Sequence, residues 1–277
     1  MMGASLMMES KIIPGQEKYE INIEYSTSDD QISTISTDYT NNYLYVGSSM
    51  GELKIFSLEK LSHTADRPIL TVPDLHTDFL SCIITDCDSE FIFTGSWDKY
   101  LKVMRVKDFV SKMVENGKND PETLRRNTYV KKVDKHISTM AIGMDNRYLF
   151  VGCFTYFLEA EEGNEGRSVV SGSAFGGSGF GGNYGSVGKK TQVNGIKGSV
   201  NVYKFSKTPN RDSDYDKDIH ISIETICEME NIHTDRVMTI LISNKYDWVF
   251  TASNDRSIKI WELVNSNFFQ RRKNQDA

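Results

Sequence analysis

The chain has 277 residues, 39% of them hydrophobic and 11% aromatic, so it can bury a core and global disorder is excluded. Its net charge of −6 provides no general basic surface, and neither nucleic acid nor a membrane is expected as a partner. The sequence has no apolar run of bilayer-spanning length, and the N-terminal MMGASLMMES lacks the basic and apolar parts of a signal peptide. These features predict a soluble cytoplasmic protein, with the nucleus as the alternative location.

Strand-like runs begin early in the chain. Residues 1–17 are predicted to form a flexible segment, and KYEINIEY at 18–25 alternates apolar and polar residues as a half-exposed strand does. A first repeat follows, in which QISTI, NYLYVGS and GELKIFSL predict three short strands separated by turns, and ILTVPDL predicts a fourth.

Two later repeats superimpose with almost no adjustment. The tripeptide HTD opens both, and it leads to FIFTGSWDKYLKVMRV in one and to WVFTASNDRSIKIWEL in the other. The interval from the histidine to the turn aspartate is 22 residues in each, from His76 to Asp98 and from His233 to Asp255. Self-similarity of this kind is the signature of a repeat architecture.

A long insertion interrupts the repeat that lies between these two. HISTMAIGMDNRYLFVGCF predicts its first two strands, GSVNVYKF its third and ISIETICEME its fourth. Residues 156–198 separate the second and third strands and contain the run SGSAFGGSGFGGNYGSVGKK, which predicts a disordered Gly-rich loop. In the preceding repeat a polar stretch, KMVENGKNDPETLRRN, is predicted to be partly helical and stands before the fourth strand, TYVKKVD.

The repeats resemble the WD-repeat β-propeller family. The resemblance depends on HTD, on SND before the turn, and on IKIWEL ending at Trp261-Glu262. It implies an all-β fold of about four four-stranded antiparallel blades over residues 18–265, forming a complete, partial or open ring. The implied blades are 28–75, 76–133, 134–232 and 233–265, the last completed by the strand at 18–25, with a polar tail at 266–277.

The family resemblance also implies a structural hydrogen-bond chain within a blade. Its members by position are His233, Thr251, Asp255 and Trp261 in the fourth repeat and His76, Thr94 and Asp98 in the second, where Met104 replaces the tryptophan. The first repeat has Ser28, Val46, Met50 and Phe56 at these positions. Because most of these replacements are apolar, we expect the first blade to depend on packing alone.

Four repeats are few for a family whose rings usually contain about seven blades. Three arrangements therefore remain open. The chain forms a partial propeller whose open blade faces contact another protein, or two chains self-associate through those faces into one ring, or four blades close alone.

Several motifs suggest chemistry but lack the context that the chemistry needs. Gly177, Gly179 and Gly182 satisfy GxGxxG inside the low-complexity run, with no helix after them, and GNYGSVGKKT has the wrong spacing for a phosphate-binding loop. The cysteines, which we interpret as buried reduced thiols, have no metal-ligand spacing. No catalytic residue, cofactor or metal is predicted, and the protein is not expected to be an enzyme.

The resemblance implies a scaffold or adaptor that presents blade loops to other proteins. The alternatives are a structural subunit of a large cytoskeletal or ciliary assembly and, as the least favoured, a propeller hydrolase or lyase. The predicted contact residues precede the first strands and the turns: Gln31, Ser49, Phe79, Trp97, Arg236 and Asn254. Trp97 is the strongest candidate, since an exposed aromatic residue is a typical interface anchor, although packing beneath a neighbouring loop is the alternative role.

Overall fold

Four antiparallel sheets of four strands each form the described part of the protein. The structure is a computed structural model. It describes residues 30–40, 42–61, 68–106, 128–143, 145–158, 193–209, 219–264 and 268–271. The predicted all-β blade architecture is confirmed, and α1 (Leu58–Leu61) is a single helical turn after the third strand.

Each sheet is one blade, and its strands are hydrogen-bonded in chain order. Blade 1 consists of β1 (Ile32–Thr37), β2 (Tyr43–Ser48), β3 (Leu53–Ser57) and β4 (Leu70–Val72). Blade 2 consists of β5 (Leu80–Thr85), β6 (Phe91–Ser96), β7 (Tyr100–Arg105) and β8 (Tyr129–Lys132). Blade 3 consists of β9 (His136–Gly143), β10 (Tyr148–Leu158), β11 (Val193–Pro209) and β12 (Ile219–His233). Blade 4 consists of β13 (Val237–Ser243), β14 (Trp248–Ser253), β15 (Ile258–Val264) and β16 (Phe268–Arg271).

The turn between the second and third strands has the same backbone shape in three blades. Gly51, Lys99 and Arg256 occupy one equivalent position, with φ values of 81°, 72° and 68°. In blade 1 a side chain would not fit at this position, since a Cβ on Gly51 would lie 2.2 Å from the carbonyl oxygen of His76. The turn of one blade therefore lies directly against the start of the next.

The hydrophobic core lies between the blades. One cluster joins blades 1 and 2 and includes Tyr45, Leu53 and Ile83. A second cluster joins blades 2 and 3, and a third joins blades 3 and 4. Strand alternation produces this arrangement, because each sheet is apolar on both faces and successive side chains point to opposite neighbours.

The interruption in blade 3 is shorter than residues 156–198. Strands β10 and β11 stay paired as far as Leu158 and Val193, and only residues 159–192 lie outside the described chain. The predicted boundary was wrong because Thr155, Tyr156 and Phe157 continue the strand-forming pattern, so the antiparallel ladder extends toward the base of the loop. The stretch KMVENGKNDPETLRRN, which was predicted to be partly helical, lies outside the described residues.

The fourth strand of blade 4 comes from the C-terminal side of the chain. Strand β16 pairs with β15, whereas we predicted that residues 18–25 would fill this position and that 266–277 would be a polar tail. Phe268 and Phe269 supply apolar residues that a short strand can use. Residues 1–29, including the predicted flexible segment and strand, lie outside the described part.

The described blades do not close into a ring on their own. The three core clusters join consecutive blades, and none of those within the described ranges joins blade 4 to blade 1. Large apolar side chains are exposed at both ends of the arc: Ile32 and Ile35 on blade 1, and Leu241 and Ile258 on blade 4. Closure by four blades alone is therefore not what this structure shows.

Candidate protein-binding site

A buried hydrogen-bond chain stands beneath the turn of blade 2. Nδ1 of His76 lies 2.9 Å from a carboxylate oxygen of Asp98, and Nε2 lies 2.9 Å from the hydroxyl of Thr94. Since a carboxylate only accepts, the ring is assigned a proton on Nδ1, and the Thr94 hydroxyl donates to Nε2. The same oxygen of Asp98 accepts the backbone N–H of Thr77, and the other oxygen accepts that of Tyr100, so the chain fixes the start of the blade and its turn together.

Blade 4 contains the same chain with one more member. His233 lies 2.8 Å from Asp255 and 2.9 Å from Thr251, and the indole N–H of Trp261 donates to the Thr251 hydroxyl at 3.0 Å. Each donor in this chain has its own acceptor, from the indole through the hydroxyl and the imidazole to the carboxylate.

These histidines are placed for structure and not for acid–base chemistry. The side chains of His76 and His233 are 0% exposed, and both nitrogens of each ring are engaged within the blade. Burial lowers the pKa of His76 below its ordinary value, against the opposing effect of Asp98, so the ring is neutral at physiological pH.

The cysteines and the acidic groups do not form a reactive or metal-binding centre in the described ranges. All four cysteines are free, and burial raises the pKa of the Cys82 thiol to about 12 and also raises that of Cys153. Cys87 is exposed, contrary to the predicted burial, because it lies in the turn before β6. No described group of three or more His, Cys, Asp or Glu side chains could hold a metal ion. Among the described residues, no helix has the length and apolarity needed to cross a membrane.

The predicted contact residues are joined by the same backbone hydrogen bond in blades 1, 2 and 4. The backbone N–H after the second strand donates to the carbonyl of the residue that precedes the first strand, as Trp97 does to Phe79 at 3.0 Å. The same bond joins Ser49 to Gln31 at 2.8 Å and Asn254 to Arg236 at 3.1 Å. The two predicted positions of each blade are therefore neighbours at the same end of the blade.

Six of the side chains at this end form a connected group, which we term the aromatic–arginine cluster: Phe79, Trp97, His136, Phe154, Tyr156 and Arg236. The ring of Trp97 lies 4.8 Å from Phe79 and 5.5 Å from Phe154 between centroids. The guanidinium carbon of Arg236 lies 4.7 Å from the centre of the Trp97 ring and 4.3 Å from that of Phe154. Blades 2, 3 and 4 thus converge on one surface.

His136 and Phe154 are members that the sequence prediction missed. They are the blade 3 equivalents of Phe79 and Trp97, since Phe154 pairs with His136 across the sheet. The repeat frame could have identified them, because HISTM aligns with the residues that follow Asp235. The Gly-rich insertion obscured the second member, since blade 3 has no short turn after Phe154. Within the cluster, a ring nitrogen of His136 lies 2.6 Å from the carbonyl of Trp97 and helps to fix the tryptophan backbone.

The other predicted contact residues lie apart from the cluster core. The Ser49 hydroxyl bonds to Asp30, and Gln31 is exposed on blade 1. Asn254 is exposed beside Arg236. The structure therefore joins Phe79, Trp97 and Arg236 and leaves Gln31, Ser49 and Asn254 outside their ring contacts.

The fold is that of a β-propeller, and the hydrogen-bond chains of blades 2 and 4 resemble those of WD repeats. The WD40 family, described as "WD domain, G-beta repeat", matches residues 67–103 and 227–262, which confirms the predicted resemblance. These two segments coincide with the repeats that contain the histidine–aspartate chains.

The chain is similar to two solved structures. The β-propeller domain of Myceliophteria thermophila Cps50 (Swd1) is 8% identical with a TM-score of 0.50, covering 85% of this chain and 54% of that one. Chaetomium thermophilum Sqt1 is 14% identical with a TM-score of 0.48, covering 89% of this chain and 47% of that one. The chain thus spans about half the length of these structures. No curated protein matches its sequence.

Proposed function

We propose that this protein is a non-catalytic scaffold or adaptor that binds other proteins through the aromatic–arginine cluster. The observation that supports this most directly is the convergence of residues from three blades on one surface. Trp97, Phe79 and Arg236 are partly exposed, and tryptophan and arginine are the residue types that most often dominate binding energy at protein interfaces. The engaged, buried histidines support a structural role for the groups that would otherwise be candidates for catalysis.

The charge of Arg236 indicates what the partner supplies. Its guanidinium lies against two rings, and its Nε is buried without a hydrogen-bond acceptor. The nearby carboxylates of Asp78 and Asp235 accept backbone N–H groups instead, from Phe79 and Arg236 respectively. A guanidinium without a carboxylate partner among the described residues favours a protein segment that brings an acidic side chain next to an apolar one.

Truncation of Trp97 tests the proposal. We expect Trp97→Ala to weaken capture of the partner by at least tenfold, about 1.4 kcal/mol, while the melting temperature changes little. Tyr246→Ala is the matched control, since Tyr246 is an exposed aromatic residue outside the cluster, 53% accessible. Partners would be identified by affinity purification and their affinities measured by calorimetry. Intact capture with a large loss of thermal stability would assign Trp97 to packing and overturn the proposal.

Arg236→Gln tests the acidic segment separately. It should weaken binding while leaving the rings in place, and charge reversal on the partner segment should have the same effect. Arg147→Gln is the control, because Arg147 is an exposed arginine at the other end of β10. If binding depends on Trp97 but not on Arg236, the scaffold proposal stands and the proposed contact with an acidic side chain of the partner is wrong.

A cytoplasmic location is also part of the proposal. The four free cysteines support a reducing compartment. Imaging of a tagged chain, with fractionation against nuclear markers, distinguishes it from the nuclear alternative.

A further inference from the structure

The turn between the first and second strands is closed around a buried aspartate in blades 1 and 2. Asp38 holds this position in blade 1 and is 3% exposed, and Asp86 holds it in blade 2 and is 0% exposed. In each turn one carboxylate oxygen, Oδ1, accepts the backbone N–H groups of the residues four and five positions later, at 2.8–2.9 Å. The first oxygen of each carboxylate is therefore satisfied in the same way.

The second carboxylate oxygen has a side-chain donor in blade 1 but not in blade 2. The hydroxyl of Thr40, two residues after Asp38, donates to its Oδ2. The residue two positions after Asp86 is Asp88, and an ionised carboxylate cannot donate a hydrogen bond. Oδ2 of Asp86 is buried and has no hydrogen-bond partner among the described residues. Because a buried anionic oxygen without a donor is costly, this position disfavours the ionised form of Asp86.

Charged groups of blades 2 and 3 act on the same carboxyl. Burial raises the pKa of Asp86 and the negative charge of Asp88 adds to this effect, against the opposing effects of the two backbone N–H groups and of Lys207 on β11. Lys207 lies 3.2 Å from Asp88 and 2.7 Å from Glu90. The effects that disfavour ionisation are the larger, so the pKa of Asp86 lies above its ordinary value.

Two further groups face this turn from β2 and β7. The hydroxyl of Tyr45, on β2 of blade 1, is buried without a hydrogen-bond partner in the described chain. Burial raises the pKa of Tyr45 and nearby carboxylates, including Asp86, raise it further, so this hydroxyl keeps its proton. Arg105, on β7, pairs with Glu90 at 3.1 Å. Neither group donates a hydrogen bond to Oδ2 of Asp86.

We propose that the folded protein binds a proton on Oδ2 of Asp86 at a pH at which an exposed aspartate is ionised, and that the protonated carboxyl donates to Asp88. The step takes one proton from solvent: an O–H bond forms on Oδ2, and the negative charge of this carboxylate is lost. The resulting hydrogen bond runs opposite to the one in blade 1, where Thr40 donates to the aspartate. The turn of blade 2 thus becomes an acid-stabilised element, and it acts independently of the aromatic–arginine cluster.

The effect of pH on stability has a definite sign. Since the pKa of Asp86 is higher in the folded chain than the ordinary 3.8 of an unfolded one, the folded chain binds more protons between these two values. The stabilisation from Asp86 is complete below pH 3.8 and is lost as the pH rises through the raised pKa. This direction is opposite to that of the buried His76, whose pKa is lowered.

Asp86→Asn tests the proposal, because the amide cannot take up this proton. The folding equilibrium constants of both chains would be measured by urea unfolding from pH 7 to pH 4. The ratio of the wild-type constant to that of the variant should rise about threefold or more as the pH falls, while contributions common to both chains cancel. Carboxyl ¹³C NMR of the wild-type protein follows Asp86 directly, and its resonance should titrate above pH 3.8. The NMR result does not depend on the folding of the variant.

Position 88 offers a matched pair of variants. Asp88→Thr supplies the hydroxyl that Thr40 supplies in blade 1, and Asp88→Val has the same shape without it. Lys207 retains Glu90 as a partner in both. At pH 7 the folding equilibrium constant should be about fivefold larger for Asp88→Thr than for Asp88→Val, because the hydroxyl donates to the ionised Asp86. The difference should shrink toward pH 4 as Asp86 becomes protonated.

Three results would overturn the proposal. The first is an Asp86 carboxyl that titrates at or below pH 3.8. The second is a ratio of wild type to Asp86→Asn that stays constant from pH 7 to pH 4 while both chains remain folded by circular dichroism. The third is equal stability of Asp88→Thr and Asp88→Val at pH 7, which would show that a side chain at position 88 does not reach Oδ2.

Discussion

Blades 4 and 1 form the same four-stranded sheet, but their equivalent buried positions differ. Blade 4 has hydrogen-bonded polar side chains there, and blade 1 has apolar ones. In blade 4 the buried Thr251 links His233 and Trp261 by hydrogen bonds. In blade 1 the equivalent position is Val46, 7% exposed, and the position of the tryptophan is occupied by Phe56, 3% exposed. The comparison shows that a blade tolerates either a complete polar chain or none, because the costly state is a buried polar group without a partner.

Blade 2 is intermediate between blades 4 and 1, because its hydrogen-bond chain has the histidine, threonine and aspartate but not the tryptophan. It therefore separates the contribution of the indole hydrogen bond from that of the rest of the chain. Its chain contains His76, Thr94 and Asp98, but Met104 replaces the tryptophan and is 1% exposed. Because the side chain of Met104 has no N–H group, the Thr94 hydroxyl has one side-chain partner where the Thr251 hydroxyl has two.

The largest expected effect comes from breaking the chain of blade 4. Thr251→Val keeps the shape of the side chain but leaves the imidazole Nε2 of His233 and the indole N–H of Trp261 without their partner. We expect the free energy of unfolding to fall by about 3 kcal/mol, since each buried group left unsatisfied costs roughly 1–3 kcal/mol. Urea unfolding followed by tryptophan fluorescence and circular dichroism measures it.

The matched control is Thr94→Val in blade 2. This change leaves only His76 without its hydroxyl, so it should cost about half as much, roughly 1.5 kcal/mol. Equal losses in the two variants would contradict the role assigned to the Trp261 hydrogen bond.

A smaller effect is expected when a polar group is introduced into blade 1. Val46→Thr buries a hydroxyl in blade 1, where Phe56 takes the place of the indole and its side chain has no hydrogen-bonding group, so it should lower the free energy of unfolding by about 1–2 kcal/mol. Val46→Ala measures lost packing without the hydroxyl. A neutral Val46→Thr variant would reveal a polar partner in blade 1 and end the contrast with blade 4.

The smallest effect is that of pH on the histidines. Burial lowers the pKa of His76, and burial also lowers that of His136, so both favour the neutral ring in the folded protein. As pH falls through the ordinary histidine pKa of 6.5, the unfolded chain takes up protons that the folded chain does not, and stability decreases. Between pH 7.5 and 5.5 we expect a loss of at most about 1.4 kcal/mol from His76 and a smaller loss from the less buried His136.

Chemical denaturation at the two pH values measures this loss, and His136→Gln should remove its part while leaving the contribution of His76. The pKa of Asp98 is also lowered, because its hydrogen bonds to His76 and to backbone N–H groups outweigh the burial that acts to raise it. That carboxylate adds a further loss only as pH falls below its ordinary value of 3.8. In the Asp86→Asn variant, stability that rises on acidification to pH 5.5 would contradict the neutral state of His76.

Much of the fold could be predicted because the repeats align residue by residue. The 22-residue interval from His76 to Asp98 and from His233 to Asp255 identified the blades and the members of their hydrogen-bond chains. The predicted insertion in blade 3 was too long, because strands β10 and β11 stay paired into both ends of the segment that its composition predicted to be a loop. The origin of β16 was also missed, since a four-residue strand between polar residues has little local signal.

The candidate site was predicted only in part. The repeat alignment predicted Phe79, Trp97 and Arg236 as contact residues. It did not predict that they contact one another, because that contact depends on the distance between blades 2 and 4 in the folded protein. His136 and Phe154 had equivalent positions in the frame, yet the insertion hid the turn that would have marked them.

The sequence by itself determined the blades and their internal hydrogen bonds, because strand alternation and the spacing of His, Thr and Asp act within some 22 residues. Only the tertiary structure decided what happens between blades. The contact of Arg236 with Trp97, the hydrogen bond between a serine of blade 2 and the backbone of blade 3 and the open face at Ile258 all join or expose residues of different repeats. Those relations depend on the packing angle between sheets, which local sequence does not encode.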